Sequence, residues 1–228
     1  MSNAATKSIS IKTRLLLIML AALTGMILIA IFALQSEKAT LLEDRKIKTR
    51  HLVEGAHSLL AHYYDLQQKG ILTEDAAKDA AIKAIKSLRY ENTEYFWLND
   101  FTTPIPKMIM HPTVPSLDGK VLDAEKFNCA TSMQGGLDGP IENTNGKKNL
   151  FVAFNEVASK SGHGYVTYNW PKPKAGGGTT TELYTKLSFV KKFDGWNWLV
   201  GSGIYLDDVD SIFWNHAIWL IGIIMAIT

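Results

Sequence analysis

Leu15 to Leu34 reads LLLIMLAALTGMILIAIFAL, 20 residues without a charge. At about 1.5 Å rise per residue that helix is roughly 30 Å long, the thickness of a bilayer's hydrocarbon core. Lys7, Lys12 and Arg14 precede it, and the positive-inside rule then predicts a cytoplasmic N-terminus. A cleaved signal peptide has an apolar core of about 7–15 residues and ends at a small-residue cleavage site. This run is longer, and a charged, helical sequence follows it directly. An uncleaved membrane helix is expected.

A second apolar run, IFWNHAIWLIGIIMAIT, starts at Ile212 and reaches Thr228. From Ala217 onward it is too short to span a bilayer, and Trp214 and Trp219 suit an interfacial belt. It is read as the start of a truncated second membrane helix. Asp207, Asp208 and Asp210 precede it without a positive cluster, compatible with an extracytoplasmic side. The predicted layout is therefore residues 1–14 as a cytoplasmic N-terminus and 15–34 as the first transmembrane helix. Residues 35–211 form an extracytoplasmic domain, and 212–228 begin the second helix.

Within the domain a helical part precedes a strand part. Leu52, Ala56, Leu59, Tyr63 and Leu66 recur at spacings of four and three, one face of a helix. The charged stretch before them lacks a strong breaker, so this helix can continue out of the membrane, with Gly70 ending it. Thr73 is placed to cap a second helix, with Glu74 and Asp75 in its first turn. On that helix Ile82, Ile85 and Arg89 fall at i, i+3 and i+7, which predicts Arg89 on the apolar stripe.

After Asn92 come YFWLND, KMIMHP, HGYVTYNW, ELYTKLSFVKKF and WNWLVGSGIYL, short aromatic and β-branched runs that read as strands. PKPKAGGGTTTE reads as a hairpin loop. EKFNCATSMQGGLDGPIENTNG has no period and is expected to be a long surface excursion, whereas KKNLFVAFNEVASKSG reads as a helix. Two helices followed by a mostly antiparallel sheet make an α+β domain.

Several functions are disfavoured at once. A net charge of +2 gives no field for nucleic acid. Cys129 is the single cysteine, so an intrachain disulfide and a cysteine metal cage are excluded; a small filler in a loop is the expectation for it. His51, His57 and His62 lie five or six apart and do not share a helical face. GPIENTNGKK has the wrong spacing for a phosphate loop, and GSG at Gly201 to Gly203 lacks the frame of a nucleophile elbow. No nucleophile meets a base at recognisable spacing, so enzyme activity is not expected, and neither is a cofactor or metal.

Four ordered blocks carry a resemblance: GILTEDAAKDAAIKAIKSLRYENTEYFWLND, MIMHPTVPSLDGK, GYVTYNWPKP and KLSFVKKFDGWNWLVGSGIYLDDVD. They cover most of Gly70 to Asp210, and in them the chain resembles the single Cache sensor domain of bacterial transmembrane receptors, chiefly methyl-accepting chemotaxis proteins. The resemblance implies a PAS-like antiparallel sheet with a long N-terminal helix, flanked by two transmembrane helices. It also implies a pocket for a small carboxylate such as acetate, pyruvate or propionate, a homodimer, and output to cytoplasmic signalling proteins through the second helix. Between Lys120 and Asn145 the chain is longer than that pattern. A histidine kinase or nucleotide cyclase would share this front end, and a tethered protein-interaction module without a small ligand is the rival from another class.

Arg89 is the only arginine after Arg50, and a guanidinium's planar fork matches a carboxylate with two hydrogen bonds. Helix geometry alone leaves it open between a pocket cation and a helix-end group reaching solvent; the resemblance favours the pocket. Tyr95 and Trp97 share one strand face, Tyr95 as a donor to a carboxylate and Trp97 as a wall or core residue. Met110 is a wall or core filling, and His111, held extended before Pro112, is a donor or a turn cap. Tyr168 and Lys186 lie on neighbouring strands, Lys186 as a second cation or an ordinary solvated lysine.

Overall fold

The computed structural model describes residues 10–227 apart from residue 92; Lys7 and Thr228 of the sequence reading lie outside the described residues. Helix α1 is unbroken from Ile11–Gln68, so the apolar run and the charged segment after it form one helix. Among the described residues α1 is the helix long and apolar enough to cross a membrane, and α4 (Asp207–Ile227) carries a shorter apolar stretch, Val209–Met225. The chain divides into two compact units, residues 1–42 with 208–228, and residues 43–207. In the first, Lys38 reaches Asp210 at 2.7 Å and His216 Nδ1 meets Glu37 at 2.6 Å.

The second unit is built on one sheet. In chain order its strands are β1 (Arg89–Tyr90), β2 (Glu94–Asp100), β3 (Met108–Met110), β4 (Asn128–Gly135), β5 (Ile141–Asn149), β6 (His163–Pro173), β7 (Thr179–Phe193) and β8 (Trp198–Tyr205). The spatial order is β1-β2-β8-β7-β6-β4-β5, with β3 also on β2, and all pairings are antiparallel. The expected α+β, PAS-like architecture with a long N-terminal helix is therefore present.

The sheet buries both faces, so its central strands read as continuous apolar runs. One face packs on α1 and on α2 (Glu74–Ser87): Val53, Ala56 and Leu60 meet Ala77, Ala81, Ile85, Phe96, Leu98, Phe189 and Val200. The expected Leu52–Leu66 seam lies on the packed face, with its centre turned toward Val53 and Leu60. Val53, Ala56 and Leu60 are buried, while Leu52, Leu59 and Tyr63 flank them. Thr73 does cap α2, accepting from the Ala76 N–H. The other face packs on α3 (Leu150–Ser161), which Asn149 caps by accepting from Phe151 and Val152, and on the chain between β3 and β4.

The stretch expected to be a loop folds instead as the β4–β5 hairpin, extending the sheet past β6. β5 is mostly exposed and β4 is shifted by irregularities, so neither shows the alternation that marks a half-buried strand. Cys129 belongs to β4 and packs against the core rather than filling a loop; burial pushes its thiol up to about 11.

Two glycines on β8 set the shape of this second face. A Cβ on Gly201 would lie 2.3 Å from the Trp97 ring, and one on Gly203 would lie 2.0 Å from Ser188 Oγ. Ring and hydroxyl can lie flat on β8 only because no side chain stands there. Gly201→Ala is therefore expected to lower the unfolding free energy of the 43–207 segment by about 1–3 kcal/mol in urea titration. Gly55→Ala, in the α1 interior with open space around its Cβ, is expected to raise it by about 0.5–1 kcal/mol.

Candidate functional site

The period-two alternation of the strands gathers Tyr95 of β2, Tyr205 of β8, Lys186 and Ser188 of β7, and Tyr168 and Trp170 of β6 on the α3 face. Lys186 lies opposite Tyr205 on one side and Tyr168 on the other. Its side chain is 0% exposed. The ammonium sits 4.3 Å from the Tyr95 ring centroid and 4.4 Å from that of Tyr205. Among the described residues its hydrogen-bond acceptor is Glu94 Oε2, at a long 3.4 Å. Taking an ammonium out of water costs several kcal/mol, and one stretched ion pair with two ring faces offsets this incompletely. The position expected for an ordinary solvated lysine holds a buried, undersupplied cation.

Glu94 is itself buried, and burial raises its carboxyl above the usual carboxylate range while Lys186 pulls it back. His111 closes the site from the chain after β3. Its backbone N–H donates to Asp118 Oδ1 at 2.7 Å, and its ring Nδ1 accepts from the Val114 backbone N–H at 3.1 Å. An Nδ1 that accepts leaves the proton of a neutral imidazole on Nε2, as a donor. Burial, reinforced by the Lys186 charge, lowers the His111 pKa to about 3, so the ring is neutral at physiological pH. It lies 5.0 Å from the Tyr95 ring and 6.0 Å from Trp170.

Trp170 supplies the last feature. Among the described residues its buried Nε1–H finds no hydrogen-bond partner, a state that costs about 1–3 kcal/mol. Its ring stacks on Phe127 and borders a cavity of about 270 Å³ with Val114, Leu117, Phe127, Pro171 and Leu183. Tyr168 OH is committed to Ser188 Oγ at 2.9 Å, and Tyr205 OH donates to Pro171 O at 2.7 Å. One ammonium, one imidazole N–H and one idle indole N–H thus stand among aromatic walls. The combination suits a small anion with a short apolar tail.

Of the residues singled out from the sequence, Tyr95, His111, Tyr168 and Lys186 come together here. Trp97 lies in the same layer but takes the core alternative, donating to Asn99 Oδ1 at 3.2 Å and packing on Phe154. Met110 is buried in the opposite core, against α1 and α2. Arg89 is the main correction. α2 ends at Ser87 and Leu88 turns extended, so Arg89 follows the helix in β1 and never joins its apolar stripe. It is exposed, and its guanidinium donates to Lys86 O and Leu88 O at 2.7 Å each, capping the carbonyl end of the helix. The buried cation is Lys186. Glu94, Trp170 and Tyr205 were not singled out, although Trp170 and Tyr205 alternate with Tyr168 and Gly203 along their strands.

An α+β domain of PAS-like type with a cation-centred aromatic site is thus defined. A family model described as the Cache domain matches residues 11–218, and the chain belongs to the Cache domain family. It is 35% identical over 210 residues to the methyl-accepting chemotaxis protein McpP of Pseudomonas putida, covering 91% of this chain and 34% of that protein. The sensor histidine kinase MctS of Rhizobium johnstonii is 29% identical over 169 residues, 74% of this chain and 30% of that protein. The chain therefore spans about a third of the length of these relatives. One similar solved structure is the periplasmic sensor domain of a chemotaxis protein: 38% identity, TM-score 0.57, covering 72% of this chain and 97% of that one. Another, 34% identical with a TM-score of 0.57 and covering 74% and 97%, is a Cache chemosensory domain described for carboxylic acid recognition.

The buried neutral His111 has a definite pH consequence. Its folded pKa of about 3 lies below the ordinary 6.5, so the unfolded chain binds the proton more readily, and stability is lost as pH falls between those values. The loss is about 1.4 kcal/mol per pH unit for one such group. Urea unfolding of wild type and His111→Gln at pH 7, 6 and 5 should show the difference between them shrinking by roughly that slope.

Proposed function

We propose that the chain is the ligand-sensing region of a transmembrane chemoreceptor and that it binds a small carboxylate, of acetate, propionate or pyruvate size, over the α3 face of the sheet. The observation that carries this reading is the fully buried Lys186 ammonium, whose ion pair among the described residues is the stretched one to Glu94. Lys186 neutralises the carboxylate, His111 Nε2–H and the idle Trp170 Nε1–H donate to it, and the rings of Tyr95, Phe127 and Trp170 wall the short tail. The 34%-identical Cache domain described for carboxylic acid recognition supports the ligand class. The match to a methyl-accepting chemotaxis protein supports the output.

In this reading α1 anchors the chain in the inner membrane with its N-terminus in the cytoplasm and residues 35–211 in the periplasm. The second membrane helix carries the signal to cytoplasmic partners, and the Leu52, Leu59 and Tyr63 flank of α1 meets a second copy. Tyr205 touches the site and stands two residues before α4, which gives ligand binding a short covalent path to that helix. A ligand shifts the two signalling states only by its differential affinity for them. The 29%-identical histidine kinase supports a second reading of the output, with the same front end on a kinase.

Isothermal titration of the 43–207 segment with acetate, propionate and pyruvate tests the ligand claim. Lys186→Met is expected to weaken binding by about 10- to 150-fold, the worth of one charge-assisted hydrogen bond at 1.5–3 kcal/mol. Arg89→Ala should leave affinity within about threefold, because a rim charge that makes no ligand contact contributes little. No heat with any of the three acids would overturn the ligand claim, and equal losses from both variants would overturn the placement of the site.

A further inference from the structure

Lys186 has a resident counter-ion, and a ligand carboxylate must deal with it. Glu94 is 7% exposed, and its Oε2 is 3.4 Å from Lys186 Nζ. The Tyr95 and Tyr205 rings take two further sides of the ammonium, and neither brings charge. A carboxylate arriving there places two anions about one buried cation, away from bulk water.

The surroundings of Glu94 hold little to balance the second charge. Tyr90 lies opposite it on β1, with its OH on Ser202 Oγ at 2.8 Å. Glu91, in the turn before β2, adds negative charge and is engaged by Lys48 and Arg45. Lys172 of β6 is the next cation, and it is tied to Asp207 Oδ2 at 2.5 Å. His111 is neutral, its Nδ1 occupied by a backbone N–H. The phenols of Tyr168 and Tyr205 are held far from ionising by burial. Among the described residues the group able to remove the excess negative charge is Glu94, by taking a proton.

Resting on the carboxylate-sensing reading above, we propose that Glu94 is the counter-ion that surrenders Lys186 to the ligand and is protonated in exchange, so that the site takes up a monocarboxylate together with one proton. Charge balances: a Glu94 carboxylate, a ligand carboxylate and a solvent proton become a Glu94 carboxylic acid and a ligand–Lys186 ion pair. Binding then raises the Glu94 pKa above its free-state value. Affinity is full below the free-state value and falls by about tenfold per pH unit above it, until the bound-state value is passed. Glutamine, a neutral isostere, mimics the protonated state at every pH.

The test is titration of the full chain in lipid nanodiscs with propionate at pH 5.5, 6.5 and 7.5, in phosphate and in Tris. The difference in observed heat between two buffers of unlike ionisation enthalpy counts the protons exchanged. Wild type should take up an increasing fraction of a proton, approaching one, as pH rises, with affinity falling in step. Glu94→Gln should exchange none and hold its affinity over the same range. Propionate binding without buffer-dependent heat at all three pH values overturns the proposal while leaving the sensing reading intact, as does equal uptake in Glu94→Gln. Should that variant fail to fold, the buffer comparison on the unaltered chain decides alone. Absence of both heat and thermal shift with propionate overturns the inference together with the reading beneath it.

Discussion

A lysine ammonium held out of water is the constraint around which this domain is arranged. Transfer of such an ion to a protein interior costs several kcal/mol even after relaxation, and among the described residues Lys186 has one acceptor, at the limit of hydrogen-bond range, to offset it. The remaining compensation comes from the faces of Tyr95 and Tyr205, where the ring quadrupole attracts a cation without satisfying its hydrogen-bond donors. Those donors stay available. A group of this kind is tolerated when the surrounding sheet fixes it, and β7 is the central strand that does so, paired with β6 over most of its length and with β8 from Lys186 onward.

The two faces of the sheet divide the work. Against α1 and α2 the contacts include edge-on aromatic pairs, such as Tyr64 with Phe193 and Trp196, and the Trp196 indole is paired, its Nε1–H donating to Gln67 Oε1 at 2.7 Å. Against α3 the same strands present Lys186, Tyr168, Trp170 and Tyr205, and among the described residues the buried Trp170 N–H has no partner. Gly201 and Gly203 make the asymmetry possible by clearing β8 for the Trp97 ring and the Ser188 hydroxyl. Tyr205 lies between two cations, Lys186 on its site side and Lys172 at 5.2 Å, and Lys172 in turn holds Asp207, the first residue of α4. The site and the start of that helix therefore share one ring.

How far the sequence could be read depends on the range of the interaction responsible. Thr73 as a cap and Tyr95/Trp97 against Phe96/Leu98 on opposite faces are set within a few residues, and both are visible in the pattern. Residues 125–146 read only as an aperiodic stretch, because an exposed terminal hairpin with shifted register carries no alternation. Counting forward from Ile82 and Ile85 puts Arg89 on a helix face, but the helix stops at Ser87, two residues short of it, and the guanidinium turns back onto the carbonyl end. For Lys186 the sequence leaves a second cation and an ordinary solvated lysine both open, because nothing adjacent to it in the chain shows that it is enclosed.

The amino-acid sequence alone determined the membrane-length apolar helix, the order of helices before strands, the strand faces and the family blocks, since each follows from local periodicity and capping. Which cation is buried was decided by the tertiary structure. Glu94 and Lys186 are 92 residues apart, and only the packing of β2, β7 and β8 into one sheet brings carboxylate, ammonium and rings together. Burial is a property of the assembled layers, and a residue's charge acquires its energetic meaning there, not in the chain.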